Sequence, residues 1–283
     1  MKFLKRLFLF LTAVLLAGGL CVFYAFRIEP YRLTVNEYPL NSRGEASDEV
    51  KIVQFSDLHI KEDFTSENLE KTVRLINEQN PDIVIFTGDL YDNYAVYRDD
   101  EHITEQLANI HARYDKIAIW GNRDYGGGAA RQYEAIMEQA GFTVLKNENR
   151  FVTTENGKTI LFTGLDDSML GSPNMPDSSE LSNSDYGILL THEPDTVEYY
   201  LDYGYNAVLS GHSHGGQVDI PFLPSINAAA LSATSLAEKY SGGMYHLSSD
   251  GSSKLYVNTG IGTTHISARF GVVPEVAVFY IYL

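Results

Sequence analysis

The chain has 283 residues, 44% of them hydrophobic, enough to bury one large α/β core. A formal net charge of −16 argues against a nucleic-acid partner, because a phosphate backbone is met by a positive face. The single Cys21 excludes an internal disulfide and any Cys-x-x-Cys metal or redox site.

Lys2, Lys5 and Arg6 precede an uncharged run from Leu7 to Phe26. In a helix such a run reaches roughly 30 Å, the thickness of a bilayer's hydrocarbon core. It ends in Cys-Val-Phe-Tyr-Ala-Phe, which lacks the small-x-small pattern of a cleavage site. Residues 1–27 are therefore expected to form an uncleaved signal anchor, a single membrane-spanning helix. The basic lead favours a cytoplasmic N-terminus and an extracytoplasmic domain. Residues 28–49 are expected to be a linker, with polar Asn36 to Asp48 as the tether, and residues 50–283 one domain.

From Val50 onward strand-like runs alternate with helical stretches, which predicts a sheet flanked by helices. Ser66 to Gln79, with Leu69, Val73 and Ile76 at helical spacing, predicts a helix, as do His102 to Arg113 and Ala129 to Ala140. Phe142 to Leu145, Phe151 to Thr154 and Thr159 to Thr163 read as strands, with Asn156-Gly157 turning between the last two. Gly171 to Ser184 reads as a loop, and a short helix begins at Pro194. Pro221 to Gly243 lacks periodicity and is expected to be a lid or side wall. Lys254 to Asn258 and Val276 to Tyr282 read as closing strands.

Five segments stand where apolar, β-branched runs end: Asp57-Leu58-His59, Gly88-Asp89, Gly121-Asn122-Arg123-Asp124, Thr191-His192-Glu193 and Gly211-His212-Ser213-His214. If those runs share a sheet, the segments emerge near its edge and can converge. Two residues apart on an extended strand end, Asp57 and His59 face the same way. Asp89 offers two oxygens that could bridge two cations, and Asn122 a neutral carbonyl oxygen. His212 and His214, with glycine on both sides, are hard to explain by packing. Taken singly, each segment also has a structural reading, such as an Asx turn at Asp89. Together, two Asp, one Asn and four His suffice for two divalent cations.

This set resembles the calcineurin-like metallophosphoesterase family over roughly Lys51 to Leu283. Gly260-Ile261-Gly262-Thr263, Arg269-Phe270, Pro274-Glu275, Asp166-Asp167 and Lys239-Tyr240 resemble its membrane-linked bacterial branch, typified by YkuE and YaeI. The resemblance implies a four-layer αββα sandwich of α/β class with metals at the sheet edges. It implies one metal held by Asp57, His59, Asp89 and His214, and a second held by Asp89, Asn122, His192 and His212. Mn, Fe or Zn would suit these donors. Asn122, Arg123, Asp124 and His192 are the implied catalytic positions, and a metal-bridging hydroxide the implied nucleophile.

Arg123 stands where most of the family has histidine. An arginine cannot hand a proton to a departing alkoxide, but it can hold a negative oxygen. The expected bond is a phosphodiester or a diphosphate, and Arg123 points to a good leaving group such as the phosphate end of a diphosphate, which needs no proton. Gly-Asn-Arg-Asp also resembles the UDP-2,3-diacylglucosamine hydrolases, and that resemblance implies a lipid-linked substrate such as UDP-2,3-diacylglucosamine. The open alternatives are that Arg123 only pairs with Asp124 or binds substrate phosphate, that the enzyme is a surface phosphomonoesterase, and that the chain is a metal-binding scaffold. His265 is left between a substrate contact and packing. Asp166 and Asp167 are left between the cleft and a turn, and Glu193 and Asp195 are placed at a helix start.

Overall fold

The computed structural model describes every residue except Glu45, Ser47 and Ala233. The first two fall in the expected tether and the third in the expected side wall, so those positions lie outside the described residues.

Helix α1 (Lys2–Arg27) is long and apolar enough to cross a membrane, and none of its residues is buried. The domain that follows is two stacked six-stranded sheets. The first is built from β1 (Thr34–Pro39), β2 (Glu49–Phe55), β3 (Ile83–Phe86), β4 (Asp115–Ile119), β5 (Thr143–Leu145) and β12 (Glu275–Tyr282), in the order β1-β12-β2-β3-β4-β5. The second holds β6 (Glu148–Thr153), β7 (Thr159–Gly164), β8 (Tyr186–Leu190), β9 (Ala207–Ser210), β10 (Gly243–His246) and β11 (Lys254–Val257), in the order β10-β11-β9-β8-β7-β6. Strands β2 to β5 run parallel, as do β7, β8, β9 and β11.

Strand periodicity explains the layers. On β2, Val50 and Ile52 enter the core between the sheets, while Val53 and Phe55 face the helices. Ile83 and Ile85 against Val84 and Phe86 repeat the pattern on β3. Both faces are buried, so the parallel strands read as continuous apolar runs rather than as an alternation. Helices α2 (Ser66–Glu78), α3 (Asp100–Ala108) and α5 (Tyr133–Gln139) cover the first sheet with Leu69, Ile76, Leu107 and Met137. The outer face of the second sheet is covered by short 3-10 turns, Pro194–Tyr199 and Leu201–Tyr203, with Val197 buried on it. The αββα sandwich is present, with a thin fourth layer.

The sequence expectations need four adjustments. Residues 28–49 are not a plain tether: β1 pairs in parallel with β12 from Thr34↔Glu275 to Pro39↔Tyr280, and Tyr38 packs against Tyr256 at 4.9 Å. Its polar residues disguise a half-buried edge strand. Helix α3 starts at Asp100 and ends at Ala108, short of Arg113. A five-residue helix, α4 (Asn122–Gly126), begins inside the Gly121-Asn122-Arg123-Asp124 segment, and the side wall contains α6 (Pro224–Leu231).

Candidate metal centre and active site

Strands β2, β3 and β4 of one sheet and β8 and β9 of the other end at the same edge. From those ends come Asp57, Asp89, Asn122, His192 and His212, the placement expected for ligands at the carboxyl ends of parallel strands. The turns are strained. Asp57 (φ 52°), His59 (φ 44°), Asp89 (φ 64°), His212 (φ 68°) and His214 (φ 50°) all lie in the left-handed region. Each such residue costs on the order of 1–3 kcal/mol, and such strain collects at functional sites.

Backbone bonds knit the turns together. Asp57 N donates to Gly88 O at 3.0 Å, His59 N to Asp89 O at 3.2 Å, and Gly211 N to His192 O at 3.1 Å. Asp124 accepts from the backbone N–H groups of Asp89, Leu90 and Gly121, each at 2.9 Å. Its carboxyl is fully buried, and burial with the nearby Asp89 charge pushes it up to about 7. Asp124, expected among the catalytic residues, thus holds the Gly88 and Gly121 turns together. A Cβ at Gly88 would meet Gly121 N at 2.6 Å, so these turns can touch only as glycines.

Among the described residues two buried groups result: Asp57, His59 and His214, and Asp89, His192 and His212. Within each group one donor atom per residue lies within 4.8 Å of the others. Asp89 Oδ2 stands between them, 3.4 Å from His59 Nε2 and 3.5 Å from His192 Nε2. Asn122 Oδ1 joins the second group, 3.0 Å from His212 Nδ1.

The donor atoms fit cations. His192 Nδ1 lies 2.6 Å from Thr87 O, and His212 Nε2 lies 2.8 Å from Ser235 O. A carbonyl only accepts, so those nitrogens carry the protons and the opposite nitrogens keep their lone pairs. His192 Nε2 is buried and has no hydrogen-bond partner. His59 Nε2 and His214 Nε2 point at each other across 2.9 Å beside the Asp57 and Asp89 carboxylates. Burial pushes the Asp57 carboxyl up, but His214, His59 and His192 outweigh it and hold it well below the usual range. Burial lowers His192, yet Asp89 and Asp57 raise it well above the ordinary imidazole value. A cation would take the place of that proton. Burial lowers both His212 and His214, with His192 adding to it at His212 and with the opposing Asp57 charge outweighed at His214, which favours the neutral, ligating form.

A cleft of about 210 Å³ opens over both groups, walled in part by Arg123, Met169, Ser235, Thr264 and His265. The Arg123 guanidinium donates to Thr264 Oγ1 at 3.0 Å and does not pair with Asp124; its backbone N–H donates to Asp89 Oδ1 at 2.7 Å. His265 is exposed at the cleft, with φ 57°. Asp166 and Asp167 accept from the backbone of Ser172, Leu170 and Gly171, which favours the turn reading. Asp195 accepts from the N–H groups of Glu238, Lys239 and Tyr240. Buried Glu193 accepts from Ser168 N, and burial together with Asp167 pushes it up to about 8.

Two site residues escaped the sequence reading. Asp92 Oδ1 lies 3.4 Å from His59 Nδ1, within ion-pair distance though without a formed hydrogen bond, where a carboxylate can favour one orientation of that ring. An acid three residues after Asp89 was the available signal. Arg269, noted only for family likeness, is fully buried and donates to the carbonyls of Thr259, Gly260 and Gly262 at 2.9, 3.1 and 2.6 Å. Its Nη2 lies 3.3 Å from His214 Nδ1, and burial pushes the guanidinium down to about 10.

The calcineurin-like phosphoesterase family model matches residues 50–216, which carry all the donor residues of both groups. The chain belongs to the calcineurin-like phosphoesterase family. It is 38% identical over 281 residues to the uncharacterized metallophosphoesterase YkuE of Bacillus subtilis, covering 98% of this chain and 96% of that one. It is 27% identical to the Bacillus subtilis metallophosphoesterase YkoQ, over 93% of this chain and 97% of that one. The UDP-2,3-diacylglucosamine pyrophosphatase LpxG of Chlamydia trachomatis is 27% identical, over 89% of this chain and 90% of its own length. The phosphoesterase is thus a metal-dependent hydrolase, and its two buried Asp/His groups suit two divalent cations.

Proposed function

We propose that this phosphoesterase cleaves a phosphodiester or diphosphate bond in a lipid-linked substrate, at the surface of the membrane that holds α1. In this reading Asp57, His59 and His214 hold one cation and Asn122, His192 and His212 the other, with Asp89 shared. When bound, the two cations supply a water-derived nucleophile at neutral pH and offset charge on the phosphoryl oxygens. The chain's own residues set the rest. The Thr87 and Ser235 carbonyls keep protons on the outward nitrogens of His192 and His212. Asp92 favours one orientation of the His59 ring, and Asp124 keeps the Asp89 and Asn122 turns in contact.

The observation that carries the bond type is Arg123, which follows Asn122 and lines the cleft. Its charge-assisted hydrogen bonds can hold the oxygens of a departing phosphate, and it gives up no proton. A diphosphate, whose leaving group is a stable anion, needs none. The cleft's exposed His265 favours a second reading, a phosphomonoesterase in which an imidazole protonates an alkoxide. Metal-supplemented turnover of a lipid-linked diphosphate, alkyl phosphodiesters and alkyl monoesters decides between them. The diphosphate is expected to be fastest, and Arg123→Gln to slow it by about 10²-fold, the scale of one lost charge-stabilising donor. Faster alkyl monoester cleavage, unchanged in Arg123→Gln, would reverse the choice.

Retention of α1 as a single-pass anchor is part of the same reading. Its last turn is built into the domain: Ala25 O accepts from Arg269 N at 2.9 Å, and the Tyr24 ring meets Phe270 edge-on at 6.1 Å. Three basic residues before the apolar run support a cytoplasmic N-terminus and a catalytic domain on the outer side. Residues 50–283, with β1 added, would then be the catalytic unit.

A further inference from the structure

We propose that Phe222, Leu223, Ile226 and Ile266 form a membrane-docking rim that rests in the interfacial layer of the bilayer holding α1. The proposal depends on α1 being a retained anchor. Phe222 is 98% exposed, Ile266 60%, Ile226 46% and Leu223 44%. Single exposed apolar residues are ordinary, but a cluster beside a membrane helix is not. From Ile220 to Ala237 the sequence has no charged residue, in a chain that is 20% charged. Helix α6 lies within that stretch and buries none of its residues.

Position is fixed by hydrogen bonds. Ala25 is next to Phe26, where the uncharged run of α1 ends, so its carbonyl lies at the hydrocarbon boundary. Arg269 N binds that carbonyl at 2.9 Å, which places Arg269 and Phe270 at the same level. Phe270 N donates to Gln217 O at 2.9 Å, and Asp219 N donates to Phe270 O at 2.7 Å. The Gln217 side chain also binds Ile266 O at 3.0 Å. Phe222 follows Asp219 by three residues and so lies within about 10 Å of it. Apolar faces of interfacial helices sit roughly 5–10 Å into the headgroup region. The rim is thus within reach of lipid wherever α1 spans the bilayer.

The same stretch ends at the site. Ser235 O accepts from His212 Nε2, and Thr234 and Ser235 wall the cleft. A lipid-borne phosphate would meet the cleft without its chains leaving the membrane. With a net charge of −16, the contact is apolar rather than electrostatic, so zwitterionic lipid suffices.

The test uses the full chain in phosphatidylcholine nanodiscs with acyl chains brominated near the glycerol. Phe222→Trp is compared with Phe151→Trp, placed on β6 at the far edge of the second sheet and 38% exposed. Buried Trp120 gives the same background in both. Phe222→Trp is expected to lose most of its added emission to bromine, and Phe151→Trp none of it. Equal emission loss, or a blue shift of Phe222→Trp without bromine quenching (a second protein copy on the rim), overturns the proposal. So does an intact mass showing residues 1–27 removed. The Phe222→Asp, Ile226→Asp double variant then reads function. Turnover of a diphosphate lipid in the nanodisc should fall about tenfold or more, the effect of withdrawing two apolar side chains from lipid. Hydrolysis of a soluble aryl phosphodiester should be unchanged. Quenching in a protein that ignores diphosphate lipids would uphold docking and reject the substrate reading instead.

Discussion

The two sheets contribute unlike chemistry to one site. The first supplies Asp57, His59 and Asp89, two carboxylates and one imidazole; the second supplies His192, His212 and His214, all imidazoles. Each cation group draws on both: Asp57 and His59 meet His214, and Asp89 meets His192 and His212. Neither sheet alone presents enough donors for either cation. The centre exists only when the sandwich is closed, and a bound cation should in turn hold it closed.

Asp89→Asn should have the largest effect, because Asp89 Oδ2 faces His59 of the first sheet and His192 of the second. Asparagine keeps the shape and can still accept from Arg123 N, so charge and bridging are lost while the fold stays. Metal-dependent turnover should fall by more than about 100-fold, beyond the range typical of a ligand's outer partner. Circular dichroism should be unchanged. Retained activity would remove Asp89 from its shared role.

Metal removal comes next. A cation present at about 100 times its dissociation constant adds about 2.7 kcal/mol to folding. For a domain of this size that is roughly 5–10 °C in Tm per cation. EDTA should therefore lower Tm, with Mn or Zn restoring it, and the shift should shrink in His214→Ala and in Asp57→Ala alike. A shift lost only with the residues of one sheet would break the cross-sheet account. Asp92→Asn should be milder. It leaves the donors in place and weakens only the partner of His59 Nδ1, so metal affinity measured by calorimetry should fall by about 10–100-fold.

The division between the sheets also explains what could be read from sequence. The donor residues follow apolar runs that are buried on both faces, so strand, turn and ligand share one short signal. Order and residue type were enough to gather the donors at one edge, and the family resemblance supplied the pairing of Asp57 with His214 and Asp89 with His212. Positioning groups were harder. Asp124 carries the same letter as a ligand, and only its three backbone partners distinguish it. Arg269 acts through a guanidinium buried among carbonyls, a role that a charged letter does not advertise. β1 was hidden because this edge strand leaves every residue half-buried or exposed, and Asn36 and Glu37, one on each face, read as tether. α6 gave no period because it packs no face into the core.

Tyr38 offers the smallest and most selective test. It belongs to β1 of the first sheet and packs on Tyr256 of the second at 4.9 Å, a cross-sheet contact made without any donor to a cation. Such an aromatic pair contributes about 0.5–1.5 kcal/mol beyond the area it buries. Tyr38→Ala should therefore lower the urea midpoint of the metal-free chain. The EDTA-induced change in Tm and the turnover at saturating metal should match the parent protein. Equal losses of stability and metal affinity would mean that β1 shapes the centre itself. Loss of stability alone would show that the sandwich is closed by two separable devices, aromatic packing at the β1 edge and cations at the strand ends.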